Sequence, residues 1–131
     1  MLKKIFILLL ILGVVAVATI PLWTQKMAED AFNHPERKNS PRRIKEAMLV
    51  KVRLQRYRSA RQFAEKAILY FPGSKEMPDF IYNAAKCAEQ ERKPHVAIFW
   101  YSQFLRKYPK HKWQQQAKNS LEKLKELHSV N

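Results

Sequence analysis

A segment that recurs after thirty-seven residues constrains this chain more than any other feature. The first copy runs from Tyr57 through Ala60, Phe63, Ala67, Ile68, Tyr70 and Phe71 to Pro72. The second runs from Pro94 through Ala97, Ile98, Tyr101, Phe104 and Tyr108 to Pro109, so Ala60 pairs with Ala97 and Pro72 with Pro109. A period of this length signals stacked helix hairpins, because one hairpin cannot bury its apolar face alone and must pack on a neighbour. Such arrays bind other molecules more often than they catalyse.

Length and composition agree with that reading. One small domain is all that 131 residues allow. Only two glycines occur, Gly13 and Gly73. The abundance of Ala, Leu, Lys, Glu, Gln and Arg favours helix over strand, so the expected fold class is all-α. Ser40 is placed to cap a helix that has Pro41 in its first turn; Ile44, Ala47 and Met48 then recur at helical spacing. A second helix is expected over residues 57–70, ended by Phe71, Pro72, Gly73 and Ser74, with Gly73 available for a left-handed turn. A third, over residues 78–91, aligns Ile81, Ala84, Ala85 and Ala88. Pro94 opens a fourth, whose inward side is Ala97, Ile98, Tyr101, Phe104 and Leu105. A closing helix over residues 111–128 carries Trp113, Ala117, Leu121, Leu124 and Leu127 on one side and polar residues elsewhere.

The N-terminus is of another kind. Lys3 and Lys4 precede residues 5–23, almost wholly apolar and long enough as a helix to span roughly 28 Å of hydrocarbon. Residues 1–23 therefore read as a membrane anchor, with Trp23 at the interface. The rival is an export signal cut after Ala18, since Ala16 and Ala18 stand two apart as such sites require. A signal-like start argues for export and a periplasmic domain, although the basic residues beyond the span outnumber Lys3 and Lys4, which argues the other way. Residues 24–40 read as a polar linker, in which Met27, Ala28, Ala31 and Phe32 can extend a helix until Pro35; residues 41–131 form the folded domain.

The net charge is +14, with nine basic and two acidic residues from Arg42 to Lys66. A field of this sign draws anionic partners such as lipid head groups or nucleic acid. It also serves simply as a solvated helix surface. Cys87, the one cysteine, lies among alanines as a core residue would. His34, His95, His111 and His128 lack metal-ligand spacing, and no phosphate loop or nucleophile motif occurs. No catalytic, metal or cofactor site is read from the chain.

The positions Tyr57, Ala60, Ala67 and Pro72, with Ala85, Ala97, Tyr101 and Pro109, resemble the tetratricopeptide (TPR) repeat. The stretch AIFWYSQFLRKYPKHKWQQQA at residues 97–117 is similar to the bacterial envelope branch of that family, the BamD and CpoB (YbgF) type. The resemblance covers residues 41–127 and implies two hairpins plus a closing helix behind the hydrophobic N-terminal helix. It also implies a protein or peptide partner along a concave face, in cell-envelope assembly or maintenance. Matching positions are Arg42, Lys45, Leu49 and Arg53, then Tyr82, Asn83, Lys86 and Gln90. A carboxylate clamp is not expected, since Leu49 stands where that clamp has an asparagine. Two hairpins are few for an array, so self-association is a further expectation. Lys51 falls at a position the family fills with a bulky apolar residue, which suggests a loosened or shifted first hairpin. The alternative from another class is a basic domain for an anionic polymer or membrane surface, with nucleic acid the lesser candidate.

Overall fold

In a computed structural model, which describes residues 1–128, the chain is all-helical and has no strand among the described residues. Six helices follow one another: α1 (Leu2–Asn33), α2 (Ser40–Arg53), α3 (Tyr57–Tyr70), α4 (Met77–Gln90), α5 (Pro94–Lys107) and α6 (Gln114–His128). Each packs on the next, while α1 also touches α3 and α2 touches α4. The result is two layers, one of α1, α3 and α5 and one of α2, α4 and α6.

The thirty-seven-residue period extends through the backbone. Helices α2, α4 and α6 begin at Ser40, Met77 and Gln114, and α3 and α5 at Tyr57 and Pro94, thirty-seven residues apart each time. The connections repeat as well. His34, Phe71 and Tyr108 end their helices with φ near −130° and ψ near 60°, and each donates its N–H to the carbonyl four residues back. Arg37, Ser74 and His111 then donate to those same three residues. Because His34 belongs to this series, the last part of α1 occupies the place of a second helix from a preceding hairpin.

That placement corrects the linker reading. Thr24, Ala28, Ala31 and Phe32 are buried, so residues 24–33 are part of the folded unit and only 34–39 connect α1 to α2. Phe32 meets Phe63 and Tyr70 edge-on at 6.2 and 5.4 Å between ring centres. Ser40 is the first residue of α2 rather than its cap: Asn39 precedes it, and the buried Ser40 hydroxyl donates to the His34 carbonyl at 2.7 Å. The buried hydroxyl thus finds its acceptor in a carbonyl that also takes the Arg37 N–H.

Two cores share α4. The first joins α1, α2, α3 and one side of α4 around Ile44, Met48, Phe63 and Phe80. The second joins the other side of α4 to α5 and α6 around Ile81, Tyr101, Phe104 and Leu121. Ala60, Ala85 and Ala97 are fully buried, as small residues at close helix contacts should be. Burying a side chain like Phe80 contributes about 2–3 kcal/mol, and its removal would open both α3 and α4. Leu127 departs from the expected stripe and stays exposed, because no further helix covers that end of α6 among the described residues.

The short turns use left-handed backbone at Gln55 and Arg92, with φ of 59° and 61°, while Gly73 does not. In both, the next residue donates its N–H five residues back, Arg56 to Lys51 and Lys93 to Ala88, closing the helix end in a Schellman pattern. The first hairpin is not shifted in register, its helices starting thirty-seven residues before those of the second. Lys51 is buried with its ammonium 4.8 Å from the centre of the Phe63 ring, at the position where the second hairpin has the buried Ala88.

Candidate functional site

Helices α2 and α4 present the eight positions expected to bind. Arg42, Arg53, Lys86 and Gln90 are exposed; Lys45, Leu49 and Tyr82 are half-buried; Asn83 is buried. The common period pairs Arg42, Lys45, Leu49 and Arg53 with Asp79, Tyr82, Lys86 and Gln90. Asp79 thus takes the surface position that had been given to Asn83. The Asn83 side chain turns inward and donates to the Asp79 carbonyl at 2.8 Å. An amide one residue out of phase with the exposed stripe must find a backbone partner or lose its hydration uncompensated.

Electrostatics on this surface are largely internal. Lys45 Nζ lies 2.8 Å from Glu76, a hydrogen bond that raises the lysine pKa above its ordinary value. Burial pushes the Asp79 carboxyl up, and Lys45, His111 and Lys112 pull it partly back. Arg42 pairs with Glu46 one turn on, at 3.2 Å. Tyr82 lies against Trp113 at 4.8 Å between ring centres and close to Phe104 at 5.5 Å, and the Lys86 ammonium is 5.8 Å from the centre of its ring. The ring therefore belongs to the junction of α4, α5 and the start of α6. Tyr82 and Lys86 come together; Arg53 and Gln90 lie a turn or more further along their helices.

The opposite layer holds a feature that periodicity did not reveal. Between α3 and α5 runs an apolar groove of about 520 Å³ lined by Ile68, Leu69, Val96, Phe99 and Trp100. Leu69 is 79% exposed and Phe99 51%. Both stand outside the inward stripes of their helices, and that out-of-phase position was the available signal. Glu65 and His95 also line the groove, and Glu65 belongs to a polar network beside it. Trp100 Nε1 donates to Glu65 at 3.2 Å, and Arg61 holds Glu65 at 2.9 Å while also donating through Nε and Nη2 to both oxygens of Glu91. This network ties α3 to α5 and to the turn before it. The paired carboxylates push the Arg61 guanidinium further above its ordinary value, the Glu91 hydrogen bond most of all.

Among the described residues, no three of His, Cys, Asp and Glu gather as metal ligands. The buried Cys87 thiol is pushed up to about 12, chiefly by burial. No family model, curated protein or solved structure matches the chain. The architecture accordingly defines the class: an all-helical array of similar hairpins whose N-terminal helix is apolar enough for a membrane anchor or a signal sequence.

Proposed function

We propose that this chain is a non-catalytic, TPR-type adaptor, held at a bacterial envelope membrane by α1 and engaging another protein through its helical layers. The observation that supports this reading is the thirty-seven-residue recurrence of helix starts, helix ends and loop hydrogen bonds. A device repeated at that spacing builds extended binding surfaces and offers no convergent pocket for chemistry. Two surfaces are open to a partner: Arg53, Lys86 and Gln90 on the α2 and α4 side, and the Leu69 and Phe99 groove on the other. An apolar ridge of a partner helix fits the groove, and an acidic segment fits the first surface.

Anchoring by α1 has its own support. Large apolar side chains from Leu2 to Val17, with Leu22 and Trp23, are exposed on the helix, an arrangement that water does not tolerate and lipid does. The test is photo-crosslinking in intact membranes, with a crosslinking residue in place of Lys86, of Phe99, and of Lys125 on the outer side of α6 as a control. A discrete adduct at Lys86 or Phe99, absent at Lys125 and retained at raised ionic strength, is the expected result. No adduct at either position, or loss of every adduct with salt, would reject an adaptor surface in favour of diffuse charge attraction.

A further inference from the structure

Helix α1 orients the array. Because α2 turns back along α1, the α2–α3 turn lies beside the apolar part of that helix, where Arg56 shares a crevice with Leu10, Gly13, Val14, Val17 and Ala18. The α4–α5 turn lies on the same edge, since Gln55, Arg56, Arg58 and Glu91 line one shallow depression. Both short turns therefore face whatever surrounds α1. The long loops at 34–39, 71–76 and 108–113 lie at the other end of fourteen-residue helices, roughly 21 Å away.

We propose that this edge, carrying Arg53, Arg56, Arg58, Arg92 and Lys93, is a docking surface for the head groups of anionic phospholipids in the leaflet next to the domain. The inference rests on α1 being a retained membrane span. Depth then dictates contact. With the exposed Trp23 at the interface, Ala18 lies five residues closer to the bilayer centre, roughly 7 Å along the helix axis. The crevice that Arg56 lines continues inward from Ala18 to Leu10, roughly 20 Å from Trp23 along the axis. A head-group layer is roughly 5–7 Å thick on each side, so only the outer, Ala18 end of the crevice borders it, and the long arginine side chains reach outward to the phosphates from there.

The chemistry matches the position. All five basic side chains are exposed, and Arg53, Arg56, Arg58 and Arg92 make no ion pair with any described carboxylate. Glu91, the one acid of the two turns, is held by Arg61. Guanidinium groups meet phosphate oxygens through two parallel hydrogen bonds, which suits a phosphodiester better than a diffuse field does. Helices α3 and α5 begin at this edge with Arg56 and Lys93 before them and no acidic residue in the first turn. The far end also carries Lys38, Lys75, Lys110 and Lys112, but more than a Debye length of roughly 8–10 Å separates it from the lipid. Position relative to α1, together with charge, selects the edge.

The experiment uses the full chain in vesicles of phosphatidylcholine, with and without phosphatidylglycerol, and spin labels at V14C, Q55C and K75C. Cys87 is buried and stays in place. Accessibility to oxygen against a polar relaxant reads depth. The expected pattern is Val14 in hydrocarbon, Lys75 in water, and Gln55 at head-group depth, moving further toward lipid when phosphatidylglycerol is added. Replacing Arg53, Arg56, Arg58 and Arg92 with Gln should abolish that movement; replacing Lys38, Lys75, Lys110 and Lys112 with Gln should leave it intact. A Gln55 label as aqueous as Lys75, with Val14 still immersed, overturns the docking surface while keeping the span. An aqueous Val14 label overturns both. Movement of equal size in the two charge variants would also reject the assignment.

Discussion

At Lys51 a charge is buried without a carboxylate. Its ammonium lies over Phe63, and burial first, then the neighbouring Arg56, lowers its pKa from the ordinary value of 10.5. Below its folded pKa both folded and unfolded chains carry the proton, and the whole cost of burying the charge is present. As pH rises from the folded pKa toward 10.5, the folded chain sheds the proton first, the unfolded chain binds more protons, and stability rises. Lys51→Met keeps the stem and removes the charge. It should stabilise the domain by about 1 kcal/mol at neutral pH, with an advantage that shrinks as pH approaches 10.5. Thermal melts across that range test it, and an advantage that grows with pH would contradict the burial argument. Cys87 gives a second residue-scale expectation. With its thiol pushed up to about 12 and buried, it should react with a thiol reagent at pH 8 only as fast as the domain unfolds.

At the scale of elements, the two left-handed turns are the informative departures. A residue with a Cβ held at positive φ costs about 1–2 kcal/mol, which glycine avoids at some expense in chain entropy. Gln55→Gly should therefore raise stability by about 0.5–1 kcal/mol, while Gly73→Ala should change it little, since a Cβ there meets nothing within 4 Å and φ is not positive. Melting curves of the two variants decide between this geometry and a glycine-based turn. The sequence pattern located α2 to α5 within a residue or so because alanines and aromatics at helical spacing and prolines at helix starts are local signals. The turn type was not legible, because Gln and Arg adopt left-handed backbone only under the hydrogen bonds of a closing helix end. Asn83 was misplaced for a related reason: a one-residue shift on a helix moves a side chain by about 100°, enough to turn a surface position into a buried one. The α3–α5 groove stayed hidden because it is formed between two helices, and neither sequence segment alone describes it.

For the molecule as a whole, the network of Arg61, Glu65, Glu91 and Trp100 joins the two hairpins, and α1 joins them to its apolar half. Glu91→Gln removes one of the two carboxylates paired with the Arg61 guanidinium, at a site only about a tenth exposed. It should destabilise the array by about 2–3 kcal/mol and loosen α3 from α5 first, which hydrogen exchange at α5 would reveal.

The last consequence concerns where the folded unit begins. A fragment starting at Ser40 contains every residue that the sequence pattern assigned to the domain, yet it lacks Ala28, Ala31 and Phe32, all buried against α2 and α3. Without them the edge of the first core is bare, and Phe63 and Phe71 lose the ring that packs between them. Losing one such aromatic alone costs about 3–5 kcal/mol. A fragment starting at Thr19, the product that cleavage after Ala18 would leave, keeps the whole of that contact and sheds most of the apolar span. The two fragments should thus differ sharply: the longer one melts cooperatively, and the shorter melts at least 10 °C lower, as a loss of about 3 kcal/mol implies for a domain of this size. Equal melting temperatures would return residues 24–33 to the status of a linker and detach the array from the direction of α1.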